Sequence, residues 1–194
     1  GDTMVRTTQD DERENMQVKL FDLAPLQGRS NKYIPDAILA EGDIKHFIEL
    51  KTCDTRRKQV STARNVTLNK IKEWEKVWWV FSSYQKDSKG NVSLVEHYLG
   101  DKHMLQEWFN KQRVKITGGT KTYGGLTSWE KAYSILSEHM DNDSLNKLDH
   151  TFRMRGVGLN DPKIPWSYIE ANCTKLDNND LPSSLRGLIY GKKI

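Results

Sequence analysis

Apolar residues Met16, Leu20, Phe21 and Leu23 recur at helical spacing between Thr8 and Leu23, behind an acid-rich first turn, and predict a helix. Pro25 and Gly28 stop it. Two strands follow, KYIPDAILA (32–40) and IKHFIELKT (44–52), joined by a turn at EGD (41–43) into a hairpin. Val60, Ala63, Thr67, Ile71 and Trp74 fall at intervals of three and four, which predicts a helix of about four turns. KVWWVFSSY (76–84) is almost continuously apolar, the mark of a strand covered on both faces. Strand, helix and covered strand imply a right-handed crossover within a mixed sheet. A turn at SKGN (88–91), a strand at VSLVEHYL (92–99) and an amphipathic helix at HMLQEWFNKQ (103–112) come next. The glycine-rich loop GGTKTYGG (118–125) lacks the Gly-Lys-Ser/Thr ending of a phosphate-cradling loop. Helices are expected near 128–140 and 143–152, then a polar loop RMRGVGLNDPK (153–163), a helix opening at Pro165 and a polar tail.

Composition narrows the class. A chain of 194 residues suits one domain, and 29% charged residues describe a solvated surface. No stretch approaches the ~20 apolar residues of a membrane helix. The polar, acidic start GDTMVRTTQDDERE carries no secretory signal, so a soluble, cytoplasmic protein is expected. Cys53 and Cys173 have no second Cys or His at zinc spacing, which points to reduced thiols rather than a metal or disulfide framework. Trp74, Trp78 and Trp79 belong to the expected core. The formal charge of +4 is mild, but the segment 51–72 is dense in Lys and Arg and has Asp54 as its one acid. Such a segment neutralises phosphates or forms a solvated face.

The chemistry concentrates in the hairpin. Residues two apart on a strand share a face, so Glu49 and Lys51 stand side by side while Ile48 and Leu50 take the opposite, buried face. Pairing brings Asp36, which follows Pro35 in the preceding strand, within reach of Glu49. Two carboxylates in one place repel unless a divalent cation lies between them, and oxygen ligands with open water positions suit Mg²⁺ or Mn²⁺. Such an ion activates water and neutralises charge on a phosphodiester, while an adjacent ammonium positions the water or stabilises the oxyanion.

Pro35-Asp36 followed by Glu49-Leu50-Lys51 resembles the motif of the PD-(D/E)XK, or restriction-endonuclease-like, nucleases, above all the type II restriction enzymes. Helix, motif-bearing hairpin, helix and buried strand also follow that superfamily's order over roughly residues 8–100. The resemblance implies an α/β fold with a mixed β-sheet flanked by helices and a more helical C-terminal half. It implies one nuclease domain over 1–194, with its core at about 8–112 and a helical, DNA-recognising part at about 113–194. Asp36 and Glu49 would bind Mg²⁺, with Mn²⁺ substituting, and the main-chain carbonyl of Leu50 would join them. Lys51 would be the catalytic lysine. Many relatives add a Glu from the first helix, for which Glu14, on a stripe with Val18 and Phe21, is the first candidate and Glu12 the second. The partner would be double-stranded DNA, cut by a homodimer with one active site per strand.

Ser61 or Thr62 of STARN (61–65) would cap the following helix and leave amides facing an anion, with Lys58, Arg64 and Asn65 beside them; ordinary capping next to a solvated basic loop is the alternative. Arg153, Arg155 and Asn160 are residue types that read base edges, and also types that loops carry without a partner. Two other functions stay open: a repair, junction-resolving or RNA-cutting nuclease of the same superfamily, and a non-catalytic DNA-binding module on that fold.

Overall fold

The computed structural model describes residues 8–26, 35–117, 129–147 and 158–191. Its order is α1 (Thr8–Leu20), β1 (Ala24–Pro25), β2 (Ala37–Glu41), β3 (Ile44–Asp54), β4 (Gln59–Val60), α2 (Leu68–Trp74), β5 (Trp78–Lys86), β6 (Val92–Gly100), α3 (Gln106–Thr117), α4 (Trp129–Leu136), a helical stretch α5 (142–147), β7 (Ile164–Pro165), α6 (Trp166–Asn172), β8 (Thr174–Lys175) and α7 (Leu181–Gly191). Six strands form one sheet in the order β1-β2-β3-β5-β6-β8. β3 and β5 run parallel and the other neighbours antiparallel, so the protein is mixed α/β. The chain divides into two compact units, Gly1–Ser61 with Trp74–Leu105 and Lys163–Ile194, and Thr62–Glu73 with Gln106–Pro162.

Local chemistry accounts for the sheet unit. The β2–β3 hairpin closes over a two-residue turn in which Gly42 takes φ 57°, a conformation that costs glycine little. β5 is buried at every position from Trp79 to Tyr84, as its apolar run predicts. α1 ends three residues earlier than its apolar pattern suggests. Asp22 adopts φ 54°, its amide donates to the Lys19 carbonyl and the Leu23 amide to that of Val18, forming a Schellman cap. Arg186 of α7 covers the same end, donating to the Phe21 carbonyl at 2.9 Å and the Asp22 carbonyl at 2.6 Å. The core joins Phe21, Leu39, Ile48, Leu50, Val80 and Leu99 to Leu176, Leu181, Leu185 and Ile189.

Two expectations need correcting. The segment 60–74 is not one four-turn helix; α2 occupies only Leu68–Trp74 and is capped by the Thr67 hydroxyl, which accepts from the Lys70 amide at 3.2 Å. The preceding residues satisfy their main chain elsewhere: Gln59 and Val60 pair with Pro165 and Ile164, Val66 bridges Leu159, and the Ala63 carbonyl accepts from the Asp161 amide. The polar tail, in turn, contains α7, whose Leu181, Leu185 and Ile189 are buried. The helix expected at 103–112 starts at Gln106, after a turn in which the Asp101 carboxylate accepts from the amides of His103 and Met104. The glycine-rich loop and all of 148–157 lie outside the described residues.

Candidate active site

Asp36, Glu49 and Lys51 meet where β2 begins beside the middle of β3. Ala37 pairs with Ile48. The Asp36 amide then donates to the Ile48 carbonyl at 3.1 Å, which sets Asp36 beside the Glu49 position one rung beyond the ladder. Its carboxylate turns toward β3, and Oδ2 accepts from the Leu50 amide at 2.9 Å. In a strand the amide and carbonyl of one residue point to the same edge, so the Leu50 carbonyl faces the Asp36 side. On the face opposite Ile48 and Leu50, Lys51 Nζ lies 3.5 Å from Glu49 Oε2, with side chains only 17% and 11% exposed.

Glu14 acts on the same lysine. Burial pulls the Lys51 ammonium toward lower pKa, but the carboxylates of Glu49, Asp36 and Glu14 outweigh it and hold the pKa above its ordinary value of 10.5. Three acids from α1, the start of β2 and β3 thus converge on one amine. Glu12, the second candidate on α1, is exposed.

Two residues that the pattern does not single out fix α1 in place. Gln17, fully buried, donates through Nε2 to the Lys51 carbonyl at 3.1 Å and to Ser82 Oγ at 3.0 Å. Arg13 Nε donates to Thr52 Oγ1 at 3.1 Å, and its guanidinium lies 4.5 Å from the centre of the Tyr84 ring. Glu14 sits between these two anchors along the helix. Beyond Gln17, Ser82 Oγ is 2.6 Å from His97 Nδ1, and burial lowers the His97 pKa to about 4. The hydroxyl accepts from Gln17 and shares a second hydrogen bond with the neutral imidazole, whose direction is set by the ring tautomer.

The residues predicted to grip phosphate are arranged differently from the expectation. Ser61 and Thr62 cap no helix: Ser61 Oγ accepts from Lys163 Nζ at 2.8 Å, while the Thr62 amide donates to Asp161 and its hydroxyl to the Pro162 carbonyl. Lys58 is exposed at φ 58°, and its carbonyl accepts from the Trp166 amide. Arg56 is held by the Asp54 carboxylate, which accepts from its amide and guanidinium and whose pKa these bonds lower. Arg64 and Asn160 are exposed and Asn65 is half-buried, all three in the second unit, whereas Arg153 and Arg155 lie outside the described residues.

Among the described residues no group of three or more His, Cys, Asp or Glu side chains is arranged to hold a metal ion. The set at the hairpin is of another kind, two carboxylates with a main-chain carbonyl, and suits an ion such as Mg²⁺ that keeps several waters. Both cysteines are free thiols: burial raises the pKa of Cys53, and burial with the nearby Asp101 raises that of Cys173 to about 12. No helix among the described residues is long and apolar enough to cross a membrane. No protein-family model matches the chain, and no curated protein is significantly similar to it.

Proposed function

We propose that the chain is a Mg²⁺-dependent endonuclease with a restriction-endonuclease-like core, cutting double-stranded DNA as a site-specific type II homodimer. One observation carries this reading: the Lys51 ammonium lies 3.5 Å from Glu49 at a half-buried position beside the start of the β2–β3 ladder, where the charges of Asp36 and Glu14 also act on it. Charged groups withdrawn from water as Glu49 and Lys51 are return little net stability, so a purely structural hairpin gains little from them.

In this reading Asp36, Glu49 and the Leu50 carbonyl hold the ion, which supplies acidity to water and positive charge to phosphate oxygens when bound. Before an ion binds, the carboxylates of Glu49, Asp36 and Glu14 outweigh burial and favour the ammonium form of Lys51, which makes it a cation and donor rather than a base. It orients the attacking water and donates to the oxygen on which charge develops as the new P–O bond forms and one ester P–O bond breaks. Gln17 fixes the main chain of Lys51, and Glu14 balances its charge.

The test is digestion of plasmid DNA, a four-way junction and RNA side by side in Mg²⁺. Discrete plasmid fragments are expected from the wild type and none from Asp36→Ala. Full activity in Asp36→Ala overturns the assignment of the site, and cutting confined to the junction or RNA overturns the assignment of the substrate.

A further inference from the structure

The same sheet face carries a second feature, one pleat repeat beyond Lys51. Cys53 on β3 pairs with Ser83 on β5, and the Ser83 hydroxyl accepts from the Glu96 amide of β6 at 3.1 Å. These three residues form the sheet wall of a cavity of about 450 Å³, and Trp166, Ser167 and Glu170 of α6 form the other. Three- and four-residue spacing places that trio on one side of the helix. The Trp166 ring is fixed edge-on against Tyr98 at 5.6 Å. Burial, together with the carboxylates of Glu96 and Glu170, raises the Tyr98 pKa. Lys51 and Cys53 are two residues apart and share a face, so the cavity begins roughly 6–7 Å from the lysine.

The lining dictates the ligand. Carboxylate oxygens accept hydrogen bonds, so Glu96 and Glu170 favour a donor-bearing molecule, while Lys58, which also lines the cavity, meets an anionic group carried by it such as a phosphate. The serine hydroxyls serve donors or acceptors, and an indole offers a stacking surface for a flat ring. The volume lies within the range of pockets built for small organic molecules. Amino groups on a flat ring are what cytosine, adenine and guanine present and thymine does not.

We propose that this cavity is a nucleobase pocket, taking one unstacked, amino-bearing base of a nucleic acid whose backbone passes Lys51. The source of the base rests on the nuclease reading, and the pocket's affinity for the base does not. Inside a duplex the base is out of reach, so occupancy requires it to leave the stack, which favours weakly paired positions.

The experiment titrates the full chain in EDTA with dCMP, dAMP, dGMP and dTMP, read by tryptophan fluorescence and by NMR shifts of the Trp166 indole N–H. Saturable binding is expected for the three amino-bearing nucleotides, at least about ten-fold weaker for dTMP. Glu170→Gln, at an exposed position, should weaken dCMP binding about ten-fold or more with an unchanged circular dichroism spectrum, and Glu96→Gln should do the same. Asp36→Ala should bind dCMP as the wild type does. Equal binding of all four nucleotides, no binding, or saturation by spermidine with no response to nucleotides each overturns the pocket. Loss of nucleotide binding with plasmid cleavage intact removes the pocket and leaves the nuclease reading standing. Nucleotide binding without cleavage does the reverse.

Discussion

β3 and β5 are neighbours in one sheet, parallel and in register, yet they fill the same face with opposite chemistry. Glu49 pairs with Trp79 and Lys51 with Phe81. On β5 the two rings stack 5.6 Å apart, and Trp74 meets Trp79 edge-to-face. On β3 the same rows hold a carboxylate and an ammonium 3.5 Å apart. Aromatic burial there stabilises by removing apolar surface from water. Buried charges return little net stability, since their attraction must first repay desolvation. Side by side, the two strands separate what holds the sheet together from what the sheet holds in place.

That division can be broken by experiment. Trp79→Ala should cost about 3–5 kcal/mol in urea unfolding, since it removes a fully buried indole and its ring contacts. A loss below about 1 kcal/mol would deny β5 its structural role. Lys51→Met in Mg²⁺ should lower cleavage about 10²–10³-fold while shifting the unfolding midpoint far less than Trp79→Ala does. If it unfolds the protein as readily as Trp79→Ala, the two strands do the same work and the comparison collapses.

The opposite face supplies a pH test. His97 is buried with its pKa lowered from 6.5 to about 4, so on acidification the unfolded chain takes up the proton first. Its contribution is complete above pH 6.5, is lost as pH falls toward about 4, and levels off below. The full loss is on the order of 3 kcal/mol. Unfolding of His97→Gln between pH 7 and 4 should show a correspondingly shallower decline; an unchanged slope would assign the acid sensitivity to other groups. The smallest effect belongs to Arg56→Ala, which removes an exposed partner of Asp54 and should leave the urea unfolding midpoint nearly unchanged. A larger shift would mean that the Asp54 turn supports β3 more than its geometry indicates.

What was legible in the sequence follows the same line between local and distant causes. The hairpin, its turn and the covered strand β5 declare themselves because alternation, a turn glycine and an unbroken apolar run are local records of burial. Asp36, Glu49 and Lys51 follow from strand periodicity and one pairing. Gln17 and Arg13 do not, because they contact the Lys51 carbonyl and the Thr52 hydroxyl, partners 34 and 39 residues away. Residues 59–66 mislead for a related reason. Their three- and four-residue spacing is helical, but Ile164, Pro165, Leu159 and Asp161 offer main-chain partners that no local pattern records. α7 did carry a signal, Leu181, Leu185, Leu188 and Ile189 on one stripe, diluted by Ser183, Ser184, Gly187 and Gly191.

The Arg186 clamp on the end of α1 and the apolar stripe of α7 have a consequence for biosynthesis. Translation delivers α1 first and α7 more than 150 residues later, with Arg186 reaching back 165 positions to the Phe21 carbonyl. A nascent chain arrested before residue 163 leaves Leu50, Val80 and Leu99 without their cover of Leu181, Leu185 and Ile189. It also leaves the β6 edge without its β8 partner. The sheet therefore matures only after residue 191 has cleared the ribosome, and until then the exposed edge is a substrate for chaperones or for misassociation between neighbouring nascent chains.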